Sequence, residues 1–105
     1  MGAVLSSLYA TLDTRKAADP AQSYVASLYH KGVNAILKKV GEEAGEVLIA
    51  AKEPDDAALV HELADLWFHT MVLMSARNLP LQAIANELVH RRGRSGFEEK
   101  ASRPK

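Results

Sequence analysis

Residues 40–74 read VGEEAGEVLIAAKEPDDAALVHELADLWFHTMVLM, a stretch that carries two acidic pairs at helical spacing. Glu43 and Glu46 form E-x-x-E, Glu62 and Asp65 form E-x-x-D, and fifteen residues separate the pairs. Residues three apart share one face of a helix, so each pair can present two carboxylates in one direction. Two such helices side by side make a four-carboxylate site.

The second helix, read over residues 57–76, is apolar almost all round. At roughly 100° per residue, Leu59, Val60, Leu63, Leu66, Trp67, Met71, Leu73 and Met74 cover most of its circumference, and Phe68 and Val72 close much of the rest. The main polar wedge holds Glu62, Asp65 and His69. Such a helix is expected to be buried, with Trp67, Met71 and Met74 in the core and the carboxylates turned inward, where an unpaired charge is costly and a partner is required. The first helix, over residues 33–52, is amphipathic, with Val33, Ile36, Leu37, Val40, Ala44, Val47, Leu48 and Ala51 on one stripe. Glu43 falls at the stripe's edge and Glu46 further round, with Lys39 between them in projection. Glu42 points away from the stripe and is the most solvated member of the run.

One acidic pair on a helix is usually a solvated face. Two pairs on consecutive helices, the second in a buried wedge, favour a metal site. Carboxylate oxygens with no cysteine and at most one histidine nearby suit a hard cation, Mg2+ or Mn2+. A di-iron bundle instead needs E-x-x-H on two helices, which this stretch does not have. Lys39 can either form a salt bridge with a neighbouring glutamate or contact a phosphate. His69 can bond a ligand carboxylate or touch substrate, or it can be a satisfied core histidine. His30, His61 and His90 show no supporting pattern.

Working outward, residues 3–16 place Val4, Leu5, Leu8 and Leu12 on one face of a first helix. A break at residues 17–20 offers Asp19 as an N-cap and Pro20 as the first helical residue of the next segment. Tyr24, Val25, Leu28 and Tyr29 recur there at helical spacing; either tyrosine could touch a ligand, with packing the favoured role, and Gly32 ends or kinks the segment. Pro54 closes the first acidic helix, with Asp55 or Asp56 capping the second. So short a turn makes the two acidic helices antiparallel neighbours, an αα-hairpin. Residues 78–80 break the second acidic helix, and Leu81, Ile84, Ala85, Leu88 and Val89 mark a last amphipathic one before Gly93. No segment alternates as a strand would. The expected fold is all-α: four to five helices in an antiparallel bundle over residues 1–93, followed by a basic tail at 94–105.

The chain has 105 residues, enough for one domain but few enough that a second copy would help bury its long apolar helices, so a homodimer is expected. It has no cysteine, which fits a reducing compartment. No apolar run approaches a membrane span, and no basic residues precede the apolar N-terminus as in a signal peptide, so the cytoplasm is the expected location. The formal net charge of zero is unevenly spread: residues 1–90 hold seven Lys or Arg against eleven Asp or Glu, and residues 91–105 hold six against two. An acidic body is a poor polyanion surface, which argues against nucleic acid and for a small phosphorylated ligand. Arg91, Arg94, Lys100 and Arg103 are the candidate phosphate contacts, although a solvated tail would have the same composition.

The strings KVGEEAGEV at 39–47, AAK at 50–52, ELADLWFH at 62–69 and SGFEEKASR at 95–103 closely resemble the phosphoribosyl-ATP pyrophosphohydrolase family, within the MazG-like all-α NTP pyrophosphatases. The likeness runs from about Leu8 to Arg103. The E-E-x-x-E run, whose first Glu is matched by Glu42, and the E-x-x-D on the next helix mark the superfamily and its reaction type; the surrounding residues and the tail point to the histidine-biosynthesis branch. The resemblance implies hydrolysis of 1-(5-phosphoribosyl)-ATP to 1-(5-phosphoribosyl)-AMP and pyrophosphate with Mg2+, and often a dimeric enzyme. It implies metal ligation by Glu43, Glu46, Glu62 and Asp65, the four residues that helical projection also selects, and nothing in the signature departs from an active member. No cyclohydrolase segment follows in this sequence, so the stand-alone form is expected.

Release of pyrophosphate requires water to attack the α-phosphorus while charge grows on the leaving group. Divalent ions in a carboxylate cradle would orient that water and offset the charge, and a carboxylate not fully engaged with metal, Glu46 or Glu42, could take its proton. Two other readings compete. A house-cleaning dNTP pyrophosphatase would share the metal site and differ in its base and sugar pocket. A non-catalytic helical assembly module would pair its acidic stripe with a basic partner.

Overall fold

The computed structural model describes residues 1–92, and these form five α-helices and no strand. Helix α1 (Gly2–Thr14) runs into a short 3-10 turn (Arg15–Ala17), and α2 (Tyr24–Lys31), α3 (Val33–Ala50), α4 (Asp56–Ala76) and α5 (Leu81–Arg91) follow. The all-α expectation holds. The tail from residue 94, with Arg94, Lys100 and Arg103, lies outside the described residues.

Helices α3 and α4 form the expected hairpin and make the most extensive packing among the described residues, with α1 laid on α4 and α2 on α3. The turn between them is closed by Asp55, whose Oδ1 accepts the Ala58 N–H at 3.2 Å, while Asp56 sits favourably in the first turn of α4. At the other end of α4, Asn78 has φ of 57°, the Leu79 N–H reaches the Met74 carbonyl at 2.8 Å, and the Asn78 N–H reaches that of Ser75 at 3.0 Å. This is a Schellman stop, and Pro80 then opens α5.

Helix α2 begins later than the sequence suggests. Asp19 does not cap it: the Asp19 carboxylate accepts the Ala21 N–H within a local turn, and Ser23 is the N-cap, its Oγ accepting the Ala26 N–H at 3.1 Å. An aspartate before proline can satisfy its own turn as readily as a helix end, which is why the sequence signal was ambiguous. Gly32 is at once the C-cap of α2 and the N-cap of α3, with φ of 99° and ψ of 177°. Only glycine occupies that backbone region without strain.

The core gathers at one end of the hairpin, where Leu12, Val25, Leu28, Ile36, Met71 and Val72 pack together. Tyr29 braces it by donating to the Leu12 carbonyl at 3.1 Å. Helix α4 is therefore buried only over its C-terminal half. Met71 and Met74 are core residues as expected, but Trp67 is 49% exposed, and Val60 and Leu63 also face outward. The expectation of a helix enclosed on all sides fails within the single chain because five short helices cannot surround it. Instead, Trp67, Leu66, Met71 and Met74 line one wall of an apolar groove of about 470 Å3, closed by Leu5 of α1 and by Leu81, Ile84 and Leu88 of α5.

Candidate active site

The carboxylates lie on the hairpin, beyond the apolar core. On α4, one ligand-capable atom from each of His61, Glu62 and Asp65 falls within 4.8 Å of the others. Helical spacing accounts for the cluster: His61 lies four residues before Asp65 and brings Nε2 to 3.4 Å from Asp65 Oδ2. Glu62 and Asp65 are half-buried rather than enclosed.

On α3, Glu43 is buried, at 8% exposure, whereas Glu42 and Glu46 are exposed. The stripe-edge position read for Glu43 and the solvated position read for Glu42 are thus both observed. Lys39 pairs with Glu42 and Glu43, at 3.4 Å from each, rather than lying between Glu43 and Glu46. Burial by itself would lower the Lys39 pKa, but the hydrogen bonds it donates to Glu43 and Glu42, together with the nearby Tyr24 phenol, outweigh it and raise the value. Glu43 Oε1 faces this ammonium, and its other oxygen has no hydrogen bond among the described residues. A buried carboxylate held by one long contact has capacity for a further cation.

One turn beyond Asp65, His69 is 5% exposed. Its Nδ1 lies 2.8 Å from the Asp65 main-chain oxygen and its Nε2 2.8 Å from Tyr24 Oη. The Tyr24 and His69 rings meet edge to face, with centroids 5.9 Å apart. Burial raises the Tyr24 pKa; Lys39 opposes this, and Glu43, Asp65 and Glu42 add to it. The phenol therefore stands in the field of both acidic helices.

The hairpin thus brings Glu62, Asp65 and His61 together on α4 and Lys39, Glu42 and Glu43 together on α3, with Glu46 outside either group. Arg91 lies on α5, paired with Glu87 at 3.0 Å. The sequence gives His61 no supporting pattern and favours packing over ligand contact for Tyr24. The i, i+4 relation of His61 to Asp65 was there to be found, but no local pattern marks Tyr24, whose partner is 45 residues away. Oxygen donors predominate, a set suited to Mg2+ or Mn2+, and the one imidazole favours the latter somewhat.

Fold and site together define an all-α protein with a carboxylate-rich candidate metal centre on a two-helix hairpin. A family model described as Phosphoribosyl-ATP pyrophosphohydrolase matches residues 5–92, so the chain belongs to that family. It is 55% identical over 100 residues to the phosphoribosyl-ATP pyrophosphatase of Neisseria gonorrhoeae, covering 95% of this chain and 94% of that protein. The protein of the same name from Chromobacterium violaceum is also 55% identical over 100 residues, covering 95% and 93%. A third, from Hydrogenovibrio crunogenus, is 53% identical over 106 residues, covering 97% and 94%.

Proposed function

We propose that this chain hydrolyses 1-(5-phosphoribosyl)-ATP to 1-(5-phosphoribosyl)-AMP and pyrophosphate, the second step of histidine biosynthesis. The observation that carries the reading is identity above one half, over nearly the full length, to proteins named for that activity. The acidic hairpin supplies the chemistry.

Glu43, Glu46, Glu62 and Asp65 are the proposed ligands of Mg2+, which Mn2+ can replace. Bound there, the metal would supply positive charge against the polyphosphate and orient the attacking water. Water oxygen attacks the α-phosphorus, the bond from that phosphorus to the leaving pyrophosphate oxygen breaks, and the water's proton passes to a carboxylate. Glu46 is the freer base, having no hydrogen-bond partner among the described residues, whereas Glu42 is engaged by Lys39. Lys39 offers its ammonium to phosphate oxygens, and His69 borders the site. Arg91, Arg94, Lys100 and Arg103 are the proposed contacts to the additional phosphoribosyl group.

The active form is proposed to be a homodimer working in the cytoplasm, with no membrane or nucleic-acid partner. Exposed Trp67, Val60, Ile84 and Leu88 support the dimer, since burying each such side chain is worth roughly 1.5–3 kcal/mol. Among the described residues no helix is long and apolar enough to cross a membrane. Molar mass from light scattering tests the assembly, and Trp67→Arg should shift it to the monomer.

The deciding experiment is pyrophosphate release from phosphoribosyl-ATP beside a panel of NTPs and dNTPs, each with Mg2+ and with excess chelator. Rapid, chelator-sensitive release from phosphoribosyl-ATP alone is the expected result. Preference for a dNTP would move the protein to nucleotide-pool sanitation, and no release from any substrate would favour the assembly module.

A further inference from the structure

The Tyr24–His69–Asp65 chain has a fixed direction. A carbonyl oxygen only accepts, so the hydrogen bond to the Asp65 main chain requires a proton on His69 Nδ1. In the neutral imidazole Nε2 is then the acceptor, and Tyr24 Oη must donate to it at 2.8 Å. His69 is almost fully buried, so without the tyrosine hydroxyl its Nε2 would be left unpaired in the interior. Tyr24 is also the first residue of α2, immediately after the Ser23 cap, so its hydroxyl anchors the start of one helix to the middle of another.

We propose that Tyr24 is a positioning residue of the carboxylate site, acting through His69. Its hydroxyl pins the first turn of α2 against the turn of α4 that carries Asp65, and so sets the gap between the Asp65 carboxylate and the Lys39–Glu43 pair on α3. The ring is half-exposed, and Lys39, Glu43, Asp65 and Glu42, from both acidic helices, all act on its phenol. A phenylalanine would keep the ring's bulk and lose the anchor. The inference rests on the metal-site reading given above and deepens it.

The test compares the full-length protein with Tyr24→Phe, His69→Gln, the double variant and Leu28→Val. Leu28→Val loosens α2 through its buried core contact while leaving both hydroxyl and imidazole of the Tyr24–His69 pair in the chain. Steady-state kinetics with phosphoribosyl-ATP and Mg2+ run beside direct titration with Mn2+ alone, without substrate, read by electron paramagnetic resonance. In Tyr24→Phe, kcat is expected to fall and the Mn2+ dissociation constant to rise, each by about tenfold or more, with KM changed less than about twofold. The double variant should lose no more than the more damaging single one, because both break the same link. Normal kcat and Mn2+ affinity in Tyr24→Phe, additive losses in the double variant, or equal losses in Leu28→Val at matched thermal stability would each overturn the proposal. A parent protein that neither binds Mn2+ nor turns over removes the metal-site reading and this inference with it. An active parent with an unchanged Tyr24→Phe removes the inference alone.

Discussion

Ser75 Oγ donates a 2.7 Å hydrogen bond to Asp13 Oδ1, joining the fully buried Ser75 near the end of α4 to the last turn of α1. That carboxylate also pairs with Lys16 at 3.0 Å. The Ser75 bond, reinforced by Lys16, holds the Asp13 pKa below its ordinary value. A depressed folded-state pKa contributes stability that is fully present above the unfolded value of about 3.9 and is lost as pH falls through the lower folded value. Replacing Asp13 by Asn should therefore flatten the acid limb of stability against pH. Urea midpoints of the parent and variant, measured from near neutrality down into that acid range, provide the check; parallel curves would contradict the assignment.

Glu62→Gln and Asp65→Asn are expected to reduce pyrophosphate release by about 100-fold or more. Because both side chains are half-buried and repel each other, stability should change by no more than about 0.5 kcal/mol or improve slightly. Turnover assays paired with thermal melts followed by helical circular dichroism separate the two effects. Near-normal activity in either variant would remove these residues from the metal site.

Gly32→Ala should destabilise the protein by about 1–3 kcal/mol. No neighbouring atom lies within 4 Å of the added methyl group, so the cost comes from backbone conformation alone. Denaturant unfolding measures it; a neutral outcome would mean that the α2–α3 junction relaxes to another geometry.

Removing the caps of α4 and α2 by Asp55→Ala and Ser23→Ala should cost about 1 kcal/mol each. For a domain of this size that lowers the melting temperature by about 4–8 °C. Asp19→Ala touches only a local turn and should cost clearly less. Equal shifts for Asp19 and Ser23 would restore Asp19 as a capping residue.

Deleting residues 95–105 should raise KM for phosphoribosyl-ATP while the Mg2+ requirement stays as it was. An unchanged KM would return the basic tail to a solvated role.

Much of this fold was legible in the sequence because helical hydrophobic periodicity, Pro54 and Gly32 are local signals. The burial of Glu43 and the exposure of Glu42 followed from angular position on one helix. The exposure of Trp67 did not, since periodicity reports which face is apolar but not whether anything covers it. Asp19 and Ser23 compete for the same local role, and only the path of residues 19–23 decides between them. For Tyr24 the sequence favours packing, because its link to the site depends on a hydroxyl meeting a ring nitrogen on another helix. Lys39 was seen as a candidate, but side-chain reach took it to Glu42 and Glu43 rather than to the midpoint suggested by a flat projection.

The shared residue between α2 and α3 restricts where this chain can change length. The Gly32 N–H closes the last turn of α2 on Leu28, and the Gly32 carbonyl opens α3 by accepting from Ala35 and Ile36. With no slack at that joint, one residue inserted between Gly32 and Glu42 would turn the rest of α3 by about 100° and bring Glu42 into the buried place of Glu43. Residues 51–55 are exposed throughout, so an insertion there can be absorbed in the turn. Insertions and deletions should therefore be tolerated at the tip of the hairpin and excluded from its root, where chain length sets which carboxylate faces the site.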